Sequence, residues 1–102
     1  VCLLVDDMID TGRTIVKAAE ALKKSGATGV VVAATHAIFS DPAFEILQDE
    51  AIDQVVVTDT LPVPADKRWD RLTVLPIAPL LARAIHEVFD DGSVTSMFDG
   101  AA

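Results

Sequence analysis

The sequence has one cysteine, Cys2, in 102 residues. A single thiol closes no internal disulfide and builds no cysteine-cluster metal site; it fits a reducing, cytoplasmic setting. Bases are also scarce, eight Lys and Arg against 16 Asp and Glu, for a formal net charge of −8. A surface this acidic repels nucleic acid and anionic membrane. General polyanion binding is disfavoured, and any phosphate must be held by a local device. No apolar run approaches the length of a membrane span, and no basic-then-apolar leader is present. Repeats, low-complexity tracts and internal domain boundaries are likewise missing. The chain opens without Met, inside an apolar run over residues 1–5. Starting in mid-strand makes an incomplete domain the expectation.

What is present is globular composition, 51% apolar and 24% charged, enough at this length for one core. Short apolar runs alternate with helical patterns, which predicts βαβ units and a parallel sheet. Strands are expected over residues 1–5, 30–34, 55–57 and 72–75. A helix over 14–25 presents Ile15, Ala18, Ala19 and Leu22 at helical spacing, with Lys23 and Lys24 in its last turn and Gly26 as its stop. A shorter helix is expected over 42–50, with Asp41 as cap and Pro42 at the first helical position. The last helix, over 79–89 and stopping at Gly92, carries a wide apolar stripe of Leu80, Leu81, Ala84, Ile85, Val88 and Phe89. Asp90 and Asp91 at its end oppose its dipole. Residues 61–71, with two prolines and many charges, read as a surface loop, and residues 94–98 as an edge strand or docked tail. The architecture implied is α/β with three layers: a mostly parallel sheet of four or five strands with helices on both faces.

Chemistry concentrates in Val5-Asp6-Asp7-Met8-Ile9-Asp10-Thr11-Gly12-Arg13-Thr14. This stretch lies between a strand's carboxyl end and a helix N-terminus, where open parallel sheets place their ligands. The N–H groups of Thr11, Gly12, Arg13 and Thr14 enter the helix without intrahelical partners and can cradle an anion. Gly12 lets the backbone turn and approach closely. The hydroxyls of Thr11 and Thr14 add neutral donors. Asp6, Asp7 and Asp10 would repel a phosphate placed beside them, so they suit sugar hydroxyls or a cation. A sugar phosphate meets both demands at once. A strand end whose acids merely cap a turn, or hold a magnesium ion, is the plainer reading. Asp6 and Asp7 point to opposite faces and so have different tasks. The stretch is not a nucleotide P-loop, because Asp7 stands where that motif needs its first glycine, and it lacks the three spaced glycines of a dinucleotide fingerprint. Elsewhere, Cys2 reads as a buried thiol, His36 as a structural histidine following the second strand, and His86 as a surface group. Trp69 reads as a packing or oligomer contact, and Lys67, Arg68 and Arg71 as solvated loop charges.

These residues resemble a known family. The run Val5 to Thr14 is similar to the ribose-5-phosphate loop of the ribose-phosphate pyrophosphokinases, a loop type shared with the wider type I phosphoribosyltransferases. The segments Ala34-Thr35-His36-Ala37-Ile38-Phe39-Ser40, Val56-Val57-Thr58-Asp59-Thr60-Leu61-Pro62, Ala78-Pro79-Leu80-Leu81-Ala82-Arg83-Ala84-Ile85 and Gly92-Ser93-Val94-Thr95-Ser96-Met97-Phe98 resemble the C-terminal portion of the pyrophosphokinases. The ending Phe98-Asp99-Gly100 is similar to actinobacterial members. The resemblance implies a type I phosphoribosyltransferase-like domain over residues 1–102, partial, with an ATP-binding N-terminal part absent. It implies a magnesium-dependent transfer of a pyrophosphoryl group from ATP to ribose 5-phosphate, giving phosphoribosyl pyrophosphate and AMP. On this chain it implies that Asp6 and Asp7 hold ribose hydroxyls, and that Asp10, Thr11, Gly12, Arg13 and Thr14 form the 5-phosphate loop. The Mg2+ ligands and catalytic loop are implied to lie in the absent part, so the chain alone is expected to be inactive. Arg13 departs from the family pattern, which has a small residue there; a positive φ at that position would strain it. Two rival readings are a type I phosphoribosyltransferase, for which no base-recognition hood is visible, and a non-catalytic synthase-associated module, for which a degraded loop is typical. An unpaired edge on the first strand further predicts a homo-oligomer.

Overall fold

The uninterrupted β-branched runs become the inner strands. In a computed structural model, which describes residues 1–90, four strands form one parallel sheet in the order β1 (Cys2–Ile9), β2 (Val30–Ala37), β3 (Gln54–Thr58), β4 (Leu72–Leu75). The connecting elements are α1 (Arg13–Lys24), α2 (Ala43–Ile46) and a single 3-10 turn over Ala65–Lys67, and α3 (Ala78–Phe89) follows β4. Residues 91 and beyond, including Gly92 and the expected strand or tail over 94–98, lie outside the described residues.

The core sits on one face of the sheet. Val30, Val32, Ala34, Val55 and Val57 are buried there against Val16 and Ala19 of α1 and Ala43 and Leu47 around α2. Burying each valine or leucine side chain contributes about 1.5–3 kcal/mol. Strands in sequential order joined by right-handed crossovers place every connection on the same side. The parallel α/β sheet with its helices is as read; among the described residues the buried helix contacts, from α1 and α2, lie on this face. The other face presents Leu3, Val5 and Leu75 exposed, with Val31, Ala33 and Val56 half-buried. The stripe of α3 is exposed as well; no residue of that helix is buried.

Several local readings change. β1 and β2 run to Ile9 and Ala37, past their apolar runs, because the parallel ladder continues through Asp6↔Ala34, Met8↔His36 and Ile9↔Ala37. His36 therefore lies within its strand. Cys2 is half-buried, not enclosed in the core. α2 is one turn long: the Ala51 N–H donates to Asp49 Oδ1 (2.9 Å), a local turn that competes with further helix. Asp41 does not cap α2; its carboxylate faces Lys67 Nζ at 3.8 Å. Arg71 is not a solvated charge. It donates to the carbonyls of Ile52 (2.8 Å) and Gln48 (2.7 Å), tying the loop after α2 to the start of β4. Arg68 Nε similarly donates to Val63 O at 3.1 Å, and Val63 itself is buried. Trp69 packs against Phe39 and Phe44, with centroids 6.0 and 5.9 Å away. The Asp90 N–H donates to the His86 carbonyl (3.0 Å), and its carboxylate sits 3.0 Å from His86 Nε2, one turn back.

Candidate functional site

The connection from β1 to α1 is three residues long, Asp10-Thr11-Gly12. Gly12 has φ +83, which only glycine adopts without strain. It is also packed. A Cβ built there would meet Leu47 Cδ2 at 2.7 Å and Ile46 Cγ2 at 3.7 Å. The first helical bond runs from the Val16 N–H to the Gly12 carbonyl (3.0 Å). The N–H groups of Arg13, Thr14 and Ile15 precede it and point out of the helix mouth. No side chain caps this helix, and no acid sits in its first turn. The mouth is therefore a set of aligned donors at the positive end of a 12-residue helix, open to an anion.

A cleft of about 180 Å³ lies over this mouth, lined by Asp6, Met8, Asp10, Thr11, Gly12, Arg13, Thr14 and Ile15. It is smaller than the roughly 300–1,000 Å³ of a typical drug-sized pocket, so it suits a small anion and its immediate neighbours. Of the residues singled out in the sequence, the structure brings together Asp6, Asp10 and Thr11 to Thr14. Asp7 does not line the cleft: strand alternation turns it to the opposite face. Asp6 Oδ1 accepts the Asp7 N–H at 2.8 Å, leaving its other oxygen for the cleft. Met8 and Ile15 were missed. The i, i+2 spacing of Asp6, Met8 and Asp10 was the available signal for Met8. Arg13 is exposed at the first position of the helix, and its φ is not positive; the left-handed residue is Gly12. The strain that an Arg would meet in a left-handed position does not arise.

A larger groove, about 470 Å³, lies at the other end of α1 between Lys23, Lys24 and Asp49 to Ala51. It sits at the amino ends of the strands, opposite the edge where parallel sheets bind ligands. Nearby, Asp53 Oδ2 accepts the Val30 N–H at 2.7 Å and pairs with Lys23 at 3.1 Å. The Val30 hydrogen bond first, and Lys23 second, hold the Asp53 carboxyl below its ordinary value. This is a structural clasp between α1, β2 and β3. His36 is structural too: its Nδ1 lies 2.8 Å from Thr60 Oγ1, and that hydroxyl donates to Thr35 O. For magnesium the fit is poor. Among the described residues no three Asp, Glu, His or Cys side chains converge as a metal site, the three aspartates of the β1 end included.

Fold and cleft together define an open parallel α/β domain with an uncapped βα mouth at the carboxyl end of its edge strand. The chain belongs to the phosphoribosyl synthetase-associated domain family, whose model matches residues 1–99. It is 56% identical over 101 residues to a ribose-phosphate pyrophosphokinase of Corynebacterium efficiens, covering 99% of this chain and 31% of that protein. It is 54% identical over 101 residues to that of Mycobacterium tuberculosis, again over 99% of this chain and 31% of the relative. Among solved structures, a phosphoribosylpyrophosphate synthetase from Mycobacterium smegmatis superposes with a TM-score of 0.82 at 53% identity, over 89% of this chain and 30% of that one. The chain thus spans about a third of the length of the relatives it matches.

Proposed function

We propose that this chain supplies the ribose 5-phosphate half of a ribose-phosphate pyrophosphokinase active site. One observation carries the reading: an uncapped helix mouth with three free N–H donors opens on a cleft that also holds the carboxylates of Asp6 and Asp10. Donors and acceptors side by side fit a phosphate ester of a polyol better than they fit either a bare anion or a neutral sugar. The 5-phosphate takes the N–H groups of Arg13 to Ile15 and the hydroxyls of Thr11 and Thr14. The ribose hydroxyls donate to Asp6 and Asp10. Asp7, on the other face, reaches the sugar only from beyond the edge of the sheet.

In the whole enzyme the anomeric oxygen attacks the β-phosphorus of ATP. The bond from that phosphorus to the oxygen bridging it to the α-phosphorus breaks, AMP leaves, and the hydroxyl proton goes to solvent. Such a transfer needs cations over the phosphates. The described cleft offers carboxylates and one exposed Arg, so magnesium and ATP are held mainly by residues outside this chain. The same reading makes the protein a cytoplasmic, homo-oligomeric enzyme of nucleotide biosynthesis. Among the described residues no helix is long and apolar enough to cross a membrane. Arg13, lying in ordinary helical backbone, no longer counts as a degraded loop, and this favours the enzyme over the non-catalytic module.

Calorimetric titration tests the reading. Ribose 5-phosphate is expected to bind, with ribose and inorganic phosphate each weaker, and Asp10→Asn is expected to weaken the ester more than phosphate. Equal binding of ester and phosphate would remove the carboxylates from the proposal. With ATP, magnesium and ribose 5-phosphate, the chain alone is expected to form no AMP.

A further inference from the structure

We infer that Phe39 is a positioning residue for the β1–α1 mouth, acting through its backbone. Phe39 has φ +51 and is the one non-glycine residue of positive φ among the described residues. A bulky residue there is strained and persists only where its surroundings hold it. Its ring packs on Trp69, with centroids 6.0 Å apart. Its N–H donates to the Ile9 carbonyl at 3.1 Å, and the N–H of Ile38 donates to the same oxygen at 3.0 Å. Successive N–H groups turned onto one point form a nest for an oxygen; here the oxygen belongs to the chain itself.

The placement of that oxygen gives the strain a purpose. Ile9 ends β1, is fully buried, and precedes Asp10 directly. A carbonyl gripped by two donors fixes the plane of the Ile9–Asp10 peptide. It thereby fixes the direction in which Asp10 and Thr11 leave the strand. The other end of the mouth is fixed by the same stretch of chain: Ile46 and Leu47 fill the space where a Gly12 Cβ would stand. The segment from Ile38 to Leu47 therefore sets both ends of the connection, one by backbone and one by packing. With the ring held on Trp69, relaxing Phe39 to negative φ rotates the Ile38–Phe39 peptide that carries its N–H and so frees the first end.

The inference rests on the ribose 5-phosphate reading only for its ligand arm. The test compares Phe39→Asn with Phe39→Val in the full chain. Both remove the ring; Asn tolerates the left-handed region and Val opposes it. In Phe39→Val, amide exchange at Ile38 and at Val16, the first donor of α1, is expected to accelerate about tenfold or more while β3 amides hold; in Phe39→Asn it stays within about threefold. Ribose 5-phosphate affinity is expected to fall about tenfold in the Val variant and to change little in the Asn variant. Equal behaviour of the two, in exchange or in affinity, overturns the inference. Should Phe39→Val not fold, Phe39→Ala against Phe39→Gly gives the same contrast. If the unaltered chain binds no ribose 5-phosphate, the functional reading falls, and the exchange at Val16 still decides the inference.

Discussion

Two helices leave this sheet from the carboxyl ends of their strands, and their mouths are finished differently. At α3, which also lacks a side-chain cap on a helical N–H, fewer donors are left over: Asp59 Oδ1 accepts the N–H of Ile77 just ahead of the helix at 2.8 Å, Pro79 has no N–H, and the Leu80 and Leu81 N–H groups return to the Ile77 carbonyl at 3.1 Å. At α1 no side chain caps the helix, and Gly12 is both left-handed and wedged against Leu47. Leaving orphan donors costs stability that a single capping side chain would restore. A helix mouth with three free donors, beside one with fewer, is the ground for proposing that its acceptor comes from outside the chain.

The comparison can be broken most forcefully at Gly12. Gly12→Ala meets a strained φ and a Cβ contact at 2.7 Å from Leu47. It is expected to cost about 2–4 kcal/mol in urea denaturation and to abolish ribose 5-phosphate binding. Gly26→Ala also has positive φ but nothing within 4 Å, so its cost is expected at about 1 kcal/mol with binding intact. Closing the comparison from the other side, Asp59→Ala removes the α3 acceptor. A loss of about 1 kcal/mol is expected, with the helicity of α3 reduced and the α1 mouth unchanged by NMR. Arg13→Gly is expected to leave affinity nearly unaltered and to cost less than about 1 kcal/mol, because the position is helical. A large gain in affinity would mean that the Arg side chain obstructs the cleft.

The smallest effect expected is one of pH. Asp53 is exposed, and solvent screens its pairing with Lys23. Its carboxyl is nonetheless held below the ordinary 3.8 by the Val30 N–H and Lys23. A depressed folded value means stability that is present above 3.8 and lost as pH falls through the folded value. The urea midpoint is expected to drop across that window, and Asp53→Asn is expected to shrink the drop while leaving the α1 mouth as it is.

Much of the architecture was legible because it depends on local pattern. β4 was read over its observed residues, and the ends of α1 and α3 came within two, since lysines, glycine and a clear apolar stripe mark them. The extension of β1 through Asp6 and Asp7 was not legible: aspartate disfavours strands, and pairing with β2 overrides that preference. The targets of Arg71 could not be seen either, because its acceptors are backbone carbonyls 19 and 23 residues away. That the core helices α1 and α2 share one face of the sheet depends on strand order, which no single segment encodes. At the candidate site the residue types, their order and the role of Gly12 were readable. The separation of Asp7 from the cleft followed from strand alternation, whereas the support from Phe39 and Leu47 was hidden in the tertiary fold.

The account turns on the open mouth. A two-dimensional NMR titration with ribose 5-phosphate reads both helices at once, through the amides of Thr11 to Ile15 and of Ile77 to Leu81. Saturable shifts at the first set, with the second set still, are the predicted result. Shifts at both sets alike, or at neither with millimolar ligand, would contradict it.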